Sequence, residues 1–177
     1  MMTLRHLLPT GLLTLATLYL AGAAYNLHRL DIEQALVCAD EGGLLIPAAA
    51  QVCRAYVFQL RGTADDIARL QAGAGMGFVV QGRASAQHKA ELVAFFQARG
   101  LDINQPDAQG WLPLHASILA RQPDEVAILL AHGADPLRVN NQQQTALALA
   151  QALQQRKPDT KMQRIIALLQ ARPAAGH

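Results

Sequence analysis

Asp107-Ala108-Gln109-Gly110-Trp111-Leu112-Pro113-Leu114-His115-Ala116 is the stretch that decides the fold of this chain. Pro113 fits the first turn of a helix, where a missing N–H costs nothing. Leu114, Ala116, Ile118 and Leu119 continue that helix, and small Ala116 and Ser117 allow close stacking. Val126, Leu129 and Leu130 mark a second helix by their i, i+3, i+4 spacing. Gly133 can end that helix in a left-handed conformation. The surrounding sequence echoes this unit at an interval of 33 residues. Gly100-Leu101-Asp102 returns as Gly133-Ala134-Asp135, Leu112–His115 returns as Thr145–Ala148, and Gly77 precedes Gly110. A fixed period of this length marks a stacked helical repeat. One such unit cannot bury both of its faces, so neighbours must stack.

The segment from Asp107 to Ala116 resembles the opening of an ankyrin repeat, whose pattern is D-x-x-G-x-T-P-L-H-x-A. Leu112 stands where Thr is usual, and Val126–Asp135 completes the unit in register. Arg121 replaces the Gly usually found between the two helices. In the next unit Asn140 takes the Asp position and Gln143 the Gly position. Its second helix, Met162–Ala171, is delayed by about six residues through Gln154–Asp159. The unit before is degenerate at its start but keeps a second helix through Leu92–Gly100. Upstream, Ile46-Pro47-Ala48 opens a helix, Gly62 breaks it, and Thr63 caps another through Leu70, with Asp65 and Asp66 supporting its N-terminus. The Gly-rich stretch Ala72–Gly77 reads as a loop or finger.

The resemblance implies an all-α chain, an ankyrin-like helical repeat solenoid with short finger loops, and the apolar stretch before it reads as an N-terminal transmembrane or signal helix. The expected organisation is a membrane or signal segment over 1–29 and a capping helix and turn over 30–45. About four repeats over 46–172 and a tail over 173–177 complete it.

Residues Leu7–Tyr25 carry no charged side chain and follow Arg5, His6 and the terminal amine. The run is close to the roughly 20 apolar residues that span a bilayer as a helix. Ala21-Gly22-Ala23 also fits the small-x-small pattern before a signal cleavage site. An uncleaved inner-membrane anchor, a cleaved signal and a buried helix are the three readings. The first two place the body in the periplasm, with Arg5 held inside. Cys38 and Cys53 flank a turn, Glu41–Pro47, between helices expected over Asp31–Asp40 and Ala48–Leu60. An antiparallel pair would bring them to similar heights, so they read as a disulfide of an oxidising compartment or as two buried thiols. Their spacing is not C-x-x-C, and two Cys without paired His are too few for a structural zinc site.

A formal net charge of +2 and the lack of any Lys/Arg cluster argue against nucleic acid as a partner. No metalloprotease, nucleophile-elbow or phosphate-loop motif occurs. His115 has no converging groups around it in sequence, and the resemblance makes it structural, hydrogen-bonding between adjacent units. The chain therefore reads as a non-enzyme with no cofactor and no metal. The resemblance implies capture of a protein partner by fingers and first helices. Gln109, Trp111, Arg121, His132, Arg138, Asn141, Gln142 and Gln144 are the candidate contacts. Trp111, the only tryptophan, is the expected anchor, because Trp is enriched in interface hot spots. Leu119 reads as a packing residue. Arg-over-Lys and Ala-rich usage points to a GC-rich bacterial genome. By analogy with small exported repeat proteins, the partner is expected to be a toxin, which the chain would neutralise as an immunity protein, or an envelope enzyme. The alternative is a structural subunit of an envelope membrane assembly.

Overall fold

The computed structural model describes residues 28–40 and 47–171, together with Thr14, Leu15, Thr17, Leu18, Ala21, Gly22 and Tyr25. Most of the apolar run Leu7–Tyr25, the turn residues 41–46 and the tail from 172 lie outside the described residues. Among the described residues no helix is long and apolar enough to cross a membrane.

The ordered elements are helices: α1 (Ile32–Ala39), α2 (Pro47–Leu60), α3 (Ala64–Ala72), α4 (Met76–Val80), α5 (Ala86–Gln97), α6 (Pro113–Leu119), α7 (Pro123–Ala131), α8 (Ala146–Arg156) and α9 (Thr160–Ala171). Their starts follow from local chemistry. Asp31 and Thr63 each close a capping box, with Gln34 and Asp66 respectively, and Ser85 and Thr145 accept from His88 and Ala148 backbone N–H groups. Pro113 and Pro123 open α6 and α7. Gly133, at φ +91°, ends α7, and the Ala134 amide reaches back to the Leu129 carbonyl at 2.9 Å. The Gly-rich stretch expected to be a loop gives up its last two residues to a helix, since α4 begins at Met76.

Short first helices α4, α6 and α8 pack side by side, and second helices α5, α7 and α9 do the same behind them. Phe96, Ile118, Leu129, Met162 and Ile165 are fully buried between the two rows. Each such side chain contributes about 1.5–3 kcal/mol of burial.

At the N-terminal end the antiparallel pair expected around Cys38 and Cys53 forms, but the grouping of Pro47–Leu60 with the next helix does not. Pro47–Leu60 was expected to form one unit with the helix capped by Thr63, yet α2 and α3 make little contact. Instead α1 and α2 form the hairpin, closed by a Cys38–Cys53 disulfide with Cα atoms 5.7 Å apart. Phe58 of α2 meets Phe95 of α5 edge-on at 4.9 Å, and the Asp40 carboxylate after α1 accepts the Arg83 amide at 2.8 Å, in the link between α4 and α5. So α1 and α2 hold the first- and second-helix places of an opening unit, and the segment expected to be only a cap is half of it. α3 sits at the finger end, where the Gln71 amide group donates to the Gly100 carbonyl at 3.4 Å. Arg61 fixes this corner: it pairs with Asp66 and donates to the Leu30 carbonyl at 2.6 Å. Burial alone would raise the Asp66 pKa, but donation from Arg61 and from Thr63 outweighs it and the pKa is lowered.

Among the described residues two non-glycine residues have positive φ, Arg121 at +54° and Gln143 at +59°. They are the two positions where the sequence departs from the glycines of the repeat pattern. Each left-handed residue costs about 1–2 kcal/mol. Gly110, the counterpart of Gln143 one unit earlier, could not be replaced in this way. A Cβ there would lie 2.9 Å from Asn141 Cβ of the next finger, whereas Gln143 belongs to the last described finger.

One interior feature was not legible beforehand. Lys89 of α5 and Glu125 of α7, both buried, pair at 2.8 Å. Removing one partner strands the other charge. Lys89→Ala is expected to cost about 3 kcal/mol in urea unfolding. The double change Lys89→Met with Glu125→Leu is expected to cost about 1 kcal/mol or less. Equal losses in both would show that the pair carries no stranded-charge penalty.

Candidate protein-binding face

The fingers are two loops with the same internal wiring. In the first, Asp107 Oδ1 accepts the Gln109 and Trp111 amides at 2.9 and 2.8 Å. In the second, Asn140 Oδ1 accepts the Gln142 and Gln144 amides at 2.9 and 3.0 Å. Asn thus replaces Asp without loss of geometry, because only an acceptor oxygen is needed. An isolated antiparallel bridge between Val139 and Thr145 closes the second finger.

Side chains also tie one finger to the next. Asn104 Oδ1 accepts the Asp135 amide at 2.8 Å, Arg138 donates to the Asn104 carbonyl at 2.7 Å, and Asn141 donates to the Gln109 carbonyl at 2.6 Å. His115, fully buried, lies with Nε2 at 2.9 Å from the Gln144 carbonyl. That bond makes Nε2 the protonated ring nitrogen. Burial lowers the His115 pKa below its ordinary value, and the bond to Gln144 offsets this only in part.

The candidate contacts divide accordingly. Arg138 and Asn141 are exposed but serve as ties between fingers. Arg121 is bound to Asp159 at 3.0 Å and to the Lys157 carbonyl at 3.4 Å, so it anchors the extra residues of the last unit. His132 is half-buried and its carbonyl accepts from Gln97. Gln109 and Gln142 are exposed at the finger tips, and Gln144 is half-buried. Trp111 is half-buried and packs against the core, so its indole is shared between the interior and the surface. Leu119, expected to pack, is exposed at the end of α6.

The structure adds two residues to this face. Leu137 and Val139 are 62% and 44% exposed, and with Pro106 and Leu112 they line an open groove of about 540 Å³ between the fingers. Gly110, Arg138, Asn140 and Asn141 complete its walls. The signal was present in sequence as two aliphatic residues at i and i+2 in a loop otherwise built of polar residues. Among the described residues no group of three or more His, Cys, Asp or Glu could hold a metal ion.

Residues 82–159 match the family model described as ankyrin repeats (3 copies), so the chain carries ankyrin repeats. Repeats of this kind indicate a protein–protein interaction module and are generally non-catalytic. None of the curated proteins is significantly similar to the chain.

The His115 proton gives the fold a pH dependence with a definite sign. The unfolded imidazole titrates near its ordinary value of 6.5, while the folded one titrates lower. Below that value the unfolded chain binds the extra proton first, so stability falls as pH drops. The contribution is complete above the unfolded pKa and is lost as pH falls through the folded one, with a slope no steeper than about 1.4 kcal/mol per pH unit. Urea midpoints from pH 7.5 to 5 should show this decline, and His115→Gln should flatten it. Identical slopes in both proteins would remove His115 from the account.

Proposed function

We propose that this chain is a non-catalytic capture module whose fingers hold a partner protein over the groove formed by Leu137, Val139, Pro106 and Leu112. The observation that carries the reading is the exposure of Leu137 and Val139 beside a rigid, hydrogen-bonded frame. Aliphatic side chains held exposed by a fixed backbone lose little entropy when a partner covers them. Gln109, Gln142 and Arg138 would form the polar rim, and Trp111 would contribute its outer half.

The site of action we propose is the periplasmic side of the inner membrane. The support is the apolar run Leu7–Tyr25 after a basic start, and the disulfide, which suits an oxidising compartment. In that setting a toxin delivered by a competing or sister cell, or an envelope enzyme, is a fitting partner, and neutralising such a toxin would be an immunity function. The alternative, a structural subunit of an envelope assembly, would place the working surface in the apolar run instead of the fingers.

Crosslinked co-purification from envelope fractions tests the reading. Leu137→Asp with Val139→Asp is expected to reduce recovery of the partner at least about ten-fold, the loss of a modest hot spot. Thermal stability should stay within a few degrees, because both residues are exposed. Undiminished recovery with the double variant would move the binding surface elsewhere.

A further inference from the structure

Helix α1 is the first helix of the stack, and it is held differently from the others. α4 and α6 pack flank to flank, as do α6 and α8, but α1 makes little contact with α4. A cleft runs between them, narrowing to a cavity of about 210 Å³ lined in part by Leu36, Val37, Phe78, Val79 and Leu92. α1 has only eight residues. A helix that short is not stable alone and depends on what it docks against.

Its docking is chiefly to α2, with a smaller contact to α3 and the tie from Asp40 to the Arg83 amide. Ile32, Ala35, Leu36 and Ala39 are buried, Arg54 Nε donates to the Ala39 carbonyl at 3.2 Å, and Arg61 holds the Leu30 carbonyl. A disulfide, Cys38–Cys53, crosslinks the two helices. Its sulfurs are unequal: Cys53 is buried, while Cys38 is half-buried and lies on the wall of an open cleft beside Val37 and Phe78.

We propose that Cys38–Cys53 is a redox latch that keeps α1 docked as the opening helix of the stack. The reductant is a dithiol. One of its thiolates attacks Cys38 Sγ, the reachable sulfur, and the Cys38–Cys53 bond breaks with Cys53 leaving as a thiolate that takes a proton from water. The second thiol of the reductant then attacks the mixed disulfide and frees Cys38, which is protonated in turn. The reductant ends as a disulfide, and its two electrons reside on the cysteine pair. With the latch open, α1 leaves the stack and the cleft beside Phe78 and Val79 widens to solvent. An oxidising compartment keeps the module closed, and a reducing encounter opens its N-terminal end. The device acts at the opposite end from the finger groove, so it stands or fails independently of partner capture.

Hydrogen–deuterium exchange on the full chain, oxidised and after treatment with excess dithiothreitol, tests the latch. Mass after thiol alkylation confirms the redox state of each sample. Reduction is expected to speed amide exchange in 32–39 at least about ten-fold, with 123–131 and 162–169 unchanged. The double variant Cys38→Ser with Cys53→Ser should resemble the reduced protein and ignore dithiothreitol. Full protection of 32–39 after confirmed reduction, or in the double variant, would overturn the proposal. So would a pair that excess dithiothreitol leaves oxidised, or a loss of protection spread evenly over the whole stack.

Discussion

The buried contact between the His115 ring and the Gln144 carbonyl is the constraint on which the rest of the stack depends. It joins the start of one unit's first helix to the finger of the next. It thereby sets the distance between neighbouring units. Around it, Asn104 reaches the Asp135 amide and Asn141 reaches the Gln109 carbonyl. Backbone groups of loops would otherwise need water. Here each finger satisfies part of its neighbour, and the loops become rigid without a sheet. A rigid loop can hold Leu137 and Val139 in the open, which a mobile one could not do at low entropic cost.

The same economy explains why several of the expected contact residues turn out to be structural. A polar side chain on a finger has two possible partners, the next finger or another protein. Arg138 and Asn141 hold the next finger, and Arg121 holds the longer connection of the last unit through Asp159. Arg121 keeps a left-handed backbone that a Gly would adopt more readily, and its side chain gains an ion pair that a Gly could not make. What remains for a partner is the apolar groove and the amide side chains at its rim.

The central unit was legible because its chemistry is local. A Pro at the first turn, a Gly after the second helix and a His between them each have one good structural use, and the 33-residue echo extended the reading to the neighbours. In the opening unit the Cys38–Cys53 pair of helices is legible, but the grouping of Pro47–Leu60 with the helix capped by Thr63 is not what the structure shows. Pro47–Leu60 has turn-forming sequence on both sides, so local signals cannot say whether it folds back on the helix before or the helix after. The deciding contacts are distant ones: Cys38 to Cys53, Arg61 to the Leu30 carbonyl, and Phe58 to Phe95. Lys89 and Glu125 were invisible for the same reason, since each alone is an ordinary surface residue type. The proposed groove lies in the finger region the sequence points to, but its apolar lining is masked by the expectation that finger residues are polar.

In the proposed function the fingers, not the outer side of the opening unit, meet the partner. Site-specific photocrosslinking in intact envelopes tests it most directly. A photoreactive residue at Leu137 should give a single discrete adduct, while one at Leu60, equally exposed on α2, should give none. An adduct from Leu60 and none from Leu137 would place the partner on the opening unit instead of the fingers.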